Sequence, residues 1–354
     1  MQTTNTVLMV RPVRFTYNEQ TAANNAFQQE GYGEEAQNRA LKEFDNYVAL
    51  LREAGVNVIV VEDTHEPHTP DSIFPNNWFS THAGKEVEEF FEEDEKEENK
   101  KAVILYPMFA PNRRQERDKD VMARLEEHYN CPCKVLDLSD YEEDNLFLEG
   151  TGSLILDREN KISYGCISPR TSEEVVEEWA AHLDYDYCLF DSTDEDGTPI
   201  YHTNVMMWVG KEYAAVCLDS ISDIEQRMNL IEVLEEAGKE IIELTFDQIG
   251  NFAGNMLELK GKDKNGKSHP VIVMSKTALE SLDNEQLYNL ETYAIIVAPD
   301  LEYIEKNMVI PDDLQRLGIE GEVVVEFFVE RSGVISGVNV VKSIHQQYDN
   351  EAIR

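Results

Sequence analysis

Short apolar runs, each closed by glycine, proline or a cluster of charges, recur along this chain in one order: strand, strand, helix, strand. One copy starts at Ile73–Phe74 and continues through a strand Ala102–Tyr106, a helix Arg113–Tyr129 and a strand Lys134–Leu138. The next takes Phe147–Leu156, Ile162–Ile167, a helix Ser172–His182 and Tyr187–Phe190. A third takes Tyr201–Val209, Tyr213–Leu218, a helix Asp223–Ala237 and Glu240–Thr245, and a fourth Phe252–Leu259, Val271–Ser275, a helical Lys276–Leu290 and Tyr293–Ala298. The amino-terminal stretch supplies Thr6–Arg11, a helix Glu34–Ala54 and Val56–Val61, the same unit without its first strand. A closed ring needs that strand from late in the chain. Glu322–Glu330 is the late run rich enough in Val and Phe to serve. Without it the edge of Thr6–Arg11 stays open, and low solubility or a homodimer through that edge is expected.

Charge changes this picture in one place. Between Gly84 and Lys101 the run EVEEFFEEDEKEENKK is too acidic for a core and reads as an elongated, solvated hairpin loop. The net charge of -39 is spread along the chain. It argues against nucleic-acid and anionic-membrane partners, which need clustered Lys and Arg. No apolar run is long enough to cross a bilayer and no basic leader opens the chain, so a cytoplasmic protein is expected. The five cysteines, Cys131, Cys133, Cys166, Cys188 and Cys217, suit neither a disulfide framework nor a zinc site. No metal and no cofactor is expected.

Several polar clusters sit badly with a purely structural role. PDSIFPNNWF places Asn76 and Asn77 beside an apolar turn, where a buried amide must pair internally or face a ligand. FLEGTGSLIL sets Glu149 at a strand start before glycines that allow close backbone approach. In YHTNVMMW, His202 and Asn204 fall two apart, which in a strand means one face. SPRTS ends a strand with Arg170, and APNRRQER concentrates Arg113, Arg114 and Arg117. Each has a bland reading: Glu149 as a cap, His202 as a core histidine, the arginines as partners of surface acid. Together they place polar residues near the start of successive units, where a ring would converge them on one central cleft.

These motifs carry a resemblance. From Thr6 to about Lys306 the chain resembles the guanidine-modifying superfamily of arginine deiminases, dimethylarginine dimethylaminohydrolases and amidinotransferases, and within it the citrulline-utilisation hydrolases. The segments that match are RPVRFTYNEQT, PDSIFPNNWFSTH, YPMFAPNRRQER, FLEGTGSLILDR, SPRTS and YHTNVMMWVG. The resemblance implies a five-bladed, pseudo-symmetric β/α propeller over residues 1–306, in agreement with the repeat. It also implies covalent catalysis, with a thiolate attacking the guanidinium or ureido carbon. Carried over, His202 is the acid/base and Glu149 holds substrate nitrogens and keeps the imidazole charged. Asp71 lies in the substrate shell, and Arg113 and Arg170 grip the α-carboxylate of a small amino acid.

Two positions depart from relatives that act on cations: Asn77 and Asn204 stand where those relatives carry acidic residues. Neutral amides suit a ureido group better than a guanidinium, so citrulline, hydrolysed to ornithine, is the expected substrate. The tail departs further. The family's glycine-rich segment with its nucleophilic cysteine is not found, and no cysteine follows Cys217. Residues 307–354 instead resemble part of the carboxyl-terminal domain of TonB energy transducers, a partial α+β appendage. Three accounts stand open: an active enzyme using another thiol, for which Cys166 is nearest in sequence; a natural fusion whose hydrolase half only binds; or a chimeric gene. The last two are favoured, since two truncated families meeting inside a motif are hard to explain by selection. A non-catalytic amino-acid-binding or TonB-linked interaction protein is the alternative function.

Overall fold

A computed structural model describes residues 2–16, 18, 20, 34–91, 96, 99–117 and 119–299, and the strands Val324–Val329 and Ile335–Lys342. The chain divides into two compact units, Met1–Asn307 and Met308–Arg354. In the first, β1 (Thr6–Arg11), helix α1 (Glu34–Glu53) and β2 (Asn57–Glu62) make a parallel pair with its crossover helix. The next sheet orders β3 (Phe79–Ala83), β4 (Lys101–Leu105) and β5 (Lys134–Asp137), with helix α2 (Lys119–Tyr129) between the last two. It is followed by β6 (Leu154–Asp157), β7 (Ile162–Cys166), helix α3 (Glu173–Leu183) and β8 (Asp186–Phe190). Then come β9 (Met207–Val209), β10 (Tyr213–Val216), helix α4 (Ile224–Glu236) and β11 (Glu240–Glu243). The last sheet holds β12 (Leu257–Lys262), β13 (Ser268–Val273) and β14 (Ile295–Val297), with helices α5 (Lys276–Ser281) and α6 (Asn284–Tyr293) in its crossover.

In each three-stranded sheet the first pair is antiparallel and the second parallel. A parallel pair needs a long connection, and the helix in each unit is that connection. Helix α3 shows why it packs. Val175, Val176, Trp179, Ala180 and Leu183 recur at three- and four-residue spacing and all are buried against β4 and β6 residues. The caps are explicit elsewhere: Asp223 accepts the first amides of α4, and Asp283 forms a capping box with Gln286 on α6. The five repeated units are those of a pseudo-symmetric β/α propeller.

The first unit differs from the other four. Its sheet contains only β1 and β2 among the described residues. The corresponding middle strands β4, β7, β10 and β13 each bury at least three consecutive residues, every residue in β10, whereas of β1 only Val10 is buried. The expected carboxyl-terminal region contributes a described antiparallel hairpin, β15 (Val324–Val329) with β16 (Ile335–Lys342). The rest of the expected α+β appendage lies outside the described residues.

Two expectations need correcting. The runs Phe147–Leu156 and Tyr201–Val209 are not continuous strands, and β3 begins at Phe79 rather than at Ile73. A single helical turn leads each of these strands: Pro75–Asn77 before β3, Gly150–Ser153 before β6 and Thr203–Val205 before β9. Pro75 presets the first turn, and Gly150, at φ +48°, admits the carbonyl of Asn76 to 2.2 Å from where a Cβ would lie. His202 and Asn204 therefore do not share a strand face. The acidic run is also not wholly solvated. Its start, Gly84–Phe90, forms 3-10 turns in which Val87 is buried. Glu86 accepts from Arg158 Nη1 at 2.8 Å and from the Tyr185 hydroxyl at 2.6 Å, and pairs with His82 at 2.8 Å.

Candidate active site

The leading turns deliver the polar residues. Glu149 precedes the Gly150–Ser153 turn, and its amide is fixed by the Arg170 carbonyl at 3.2 Å and Ser153 Oγ at 3.0 Å. Its carboxylate is fully buried. Oε2 accepts from His202 Nε2 at 2.8 Å and Arg170 Nη1 at 3.3 Å, and Oε1 accepts the Phe109 amide at 3.1 Å. His202 sits immediately before the Thr203–Val205 turn, its ring 4.8 Å from that of Tyr201. Arg170 places its guanidinium 4.7 Å above the same Tyr201 ring.

The Pro75–Asn77 turn brings a second group. Arg113 donates through Nη1 to Asn77 Oδ1 at 2.7 Å, and through Nη2 to the Phe74 carbonyl at 3.2 Å. Its fork closes on Glu116, Nε to Oε1 at 2.8 Å and Nη2 to Oε2 at 2.9 Å, with both side chains at most 2% exposed. The fork expected to take a substrate carboxylate is thus engaged inside the protein. Asp71 accepts from Asn18 Nδ2 at 2.7 Å and lies 3.8 Å from Arg113 Nε. Glu116 escaped the sequence reading. Its only signal was the three-residue spacing from Arg113 within RRQE, which in a helical turn makes neighbours.

Gly152 is where the groups meet. A Cβ on it would lie 2.4 Å from Asn77 Nδ2 and 2.9 Å from His202 Nδ1, so the three leading turns abut. They open on a cavity of about 2190 Å³ whose walls include Asp71, Asn76, Asn77, Arg170, His202 and Asn204. Arg113 and Tyr201 also line it. Glu149 lies behind His202 and Arg170 instead of on the wall. Arg114 and Arg117 do not line it either: they turn to the Met108 and Tyr106 carbonyls, at 3.0 and 2.9 Å, and to Glu142.

Electrostatics set the resting protonation. Burial pushes Glu149 up, but the His202 hydrogen bond and the Arg170 charge outweigh it and hold the carboxyl at about 2. Burial depresses His202 to about 4 despite the pull of Glu149, with Arg170 and Arg113 adding to the depression. The pair at rest is a carboxylate and a neutral imidazole. Nε2–H donates to Glu149, which leaves the Nδ1 lone pair on the Gly152 side. Burial pushes Glu116 up to about 7 against the attraction of Arg113. Cys166 is fully buried, touches the Ile200 carbonyl and Thr203 Oγ1, both at 3.4 Å, and its thiol is pushed up by burial. Burial likewise pushes Cys188 and Cys217 up to about 11. No cysteine is among the cavity's lining residues. Among the described residues no three His, Cys, Asp or Glu side chains are grouped to hold a metal, and no helix is long and apolar enough to cross a membrane.

The sequence pattern of the eukaryotic N,N dimethylarginine dimethylhydrolase family matches residues 11–307. The match ends where the second compact unit, Met308–Arg354, begins. No curated protein sequence matches the chain. Among solved structures, the amino-terminal domain of ArgZ, an arginine dihydrolase from the ornithine-ammonia cycle in cyanobacteria, bound to substrate, is similar at TM-score 0.60 and 17% identity, over 85% of this chain and 93% of that one. Unliganded AgrE is similar at TM-score 0.60 and 17% identity, over 85% of this chain and 38% of AgrE. A dimethylarginine dimethylaminohydrolase variant in adduct with S-methyl-L-thiocitrulline gives TM-score 0.54 and 14% identity, over 86% of this chain and 95% of that one. At these identities the structures establish a shared fold.

Proposed function

The chain belongs to the N,N-dimethylarginine dimethylhydrolase family, hydrolases of guanidino C–N bonds, and on that ground we propose that its cavity takes a small amino acid by a ureido or guanidino end, citrulline first. The observation that carries this is the convergence of Glu149–His202 and the amide of Asn77 on Gly152. In this reading citrulline and one water give ornithine, carbon dioxide and ammonia. His202 Nδ1 accepts a proton from the attacking group and returns it to the departing amine. Glu149, anionic throughout, fixes the ring and stabilises the imidazolium that forms between those two steps. Arg170 answers the α-carboxylate, and Asp71 and Asn76 supply the polar wall. Asn204 completes the neutral lining.

A second reading is supported by the cysteines. Cys166, Cys188 and Cys217 are buried with their thiols pushed up, which suits packing and not nucleophilic attack. On that reading the chain binds the amino acid without turning it over, alone or as part of a TonB-linked interaction protein. Titration calorimetry with citrulline and arginine, alongside an ornithine assay, separates the two. Citrulline binding with ornithine release supports the hydrolase, and binding without release supports the binding protein. Binding of neither ligand refutes both.

A further inference from the structure

The clamp on Asn77 reaches beyond the assignment of a binding residue. An amide presents two opposite faces to a ligand, a carbonyl oxygen that accepts and an NH2 that donates, and a half-turn of the side chain exchanges them. Here that choice is settled from behind. Arg113 Nη1 lies 2.7 Å from the amide oxygen. A guanidinium carries donors only, so whatever stands against it must be an acceptor. The oxygen is therefore held on Arg113, and the NH2 group is held toward Gly152 and the His202 imidazole.

Arg113 is itself kept in register. Glu116 takes its Nε and Nη2 in parallel, which fixes the plane of the guanidinium and leaves Nη1 aimed at Asn77. The second Nη2 contact, to the Phe74 carbonyl at 3.2 Å, ties the clamp to the segment that carries Asn77. Glu116, Arg113 and the Pro75–Asn77 turn are thus tied together by hydrogen bonds, and of the Asn77 amide it is Nδ2, not the Arg113-bound oxygen, that is left for a ligand.

We infer that Glu116 and Arg113 are positioning residues that lock Asn77 as a hydrogen-bond donor, so that the site selects substrates offering a carbonyl oxygen, a ureido group, over a guanidinium. The inference rests on the reading that an amino acid enters this cavity by that end. A ureido oxygen meets the NH2 group as an acceptor. A guanidinium brings further donors to it, and turning the amide to receive them sets its NH2 against Arg113. A buried donor left without an acceptor makes the difference on the order of ten- to a hundredfold in affinity. Arg113 acts here through Asn77, which agrees with its fork being closed on Glu116.

The test is calorimetric binding of citrulline and arginine to the full chain and to Glu116→Gln, Arg113→Met and Asn77→Asp, with tryptophan fluorescence to confirm folding. The parent binds citrulline at least about tenfold more tightly than arginine. Arg113→Met frees the amide to turn, and Glu116→Gln loosens its clamp; in both, the ratio of the two affinities narrows. Asn77→Asp keeps an oxygen for Arg113 and presents another to the cleft, so its preference reverses toward arginine. A merely structural role weakens both ligands together and leaves the ratio unchanged, and that result in Glu116→Gln overturns the inference even if Arg113→Met fails to fold. An Asn77→Asp chain that still prefers citrulline also overturns it. A parent that discriminates while every variant keeps its ratio removes the positioning role alone; a parent that binds neither ligand removes the functional reading as well.

Discussion

Replacing Glu149 with glutamine isolates the buried charge at the centre of the site. The side chain keeps its size and one acceptor oxygen, but His202 and Arg170 lose their anion. The magnitude follows from the carboxyl itself, which falls from an ordinary 4.5 to about 2 in the folded protein. At ~1.4 kcal/mol per pH unit this corresponds to about 3 kcal/mol of stability supplied by the ionised group. The sign is fixed by the depression. The folded state binds the proton less readily than the unfolded chain, so the stabilisation is complete above pH 4.5 and is lost as the pH falls toward 2. Arg170, at 2% exposure, is left with an uncompensated buried charge, which makes about 3 kcal/mol a lower figure.

Urea denaturation followed by tryptophan fluorescence measures this directly. Trp78, Trp179 and Trp208 are the chain's only tryptophans, and all lie in the first unit, so the signal reports that unit and not the hairpin segment. Glu149→Gln is expected to lower the unfolding free energy by about 3 kcal/mol or more at pH 7.5. The deficit stays level from pH 8 to about 5 and narrows below the unfolded carboxyl's 4.5. A variant within about 0.5 kcal/mol of the parent at pH 7.5, the range of an unremarkable surface change, refutes the assignment of a buried, anionic Glu149.

His202→Gln tests the other half of the pair. A histidine depressed from 6.5 to about 4 makes the parent lose stability as the pH falls through that window, since the unfolded chain takes up the proton first. The loss totals about 3 kcal/mol, and the glutamine variant should lack that slope in the same denaturation series. Glu86→Ala and Glu88→Ala together test the acidic run. Glu86, its side chain 14% exposed, pairs with Arg158, so its removal should cost about 3 to 5 kcal/mol; Glu88, 67% exposed beside Lys100, should cost under about 1. Equal effects by the same fluorescence assay would return the whole run to solvent.

The repeat was legible because it is local. Alternation of short apolar runs with a helix of amphipathic spacing, as in Val175 to Leu183, needs no knowledge of distant contacts. The leading turns were not legible for the opposite reason. Leu148 is as apolar as any strand residue, and in the turn between it and β6 the backbone of another unit comes close, the Asn76 carbonyl lying against Gly150. Gly150 and Gly152 carried a hint of close approach, but not of what approaches. Val87 was hidden by its neighbours: a single buried valine amid glutamates leaves no period to read. Convergence of Glu149, His202 and Arg170 followed from ring geometry, whereas the lock of Arg113 on Glu116 required seeing which of several nearby acids the guanidinium chose.

That choice governs what kind of recognition the cavity can perform. Arg113 is closed on Glu116 and shares Asp71, and Arg170 is engaged by Glu149. Both guanidinium groups thus have a carboxylate before a ligand arrives, so a ligand anion at Arg170 joins the Glu149 pair and does not replace it. His202, neutral at rest, adds no charge. The walls near Gly152 therefore have little net charge with which to distinguish a cationic side chain from a neutral one. What they retain is direction, the donating face of one amide and the lone pair of one imidazole. Discrimination at that end of the ligand is then a matter of hydrogen-bond polarity, and it depends on a guanidinium that need not touch the ligand.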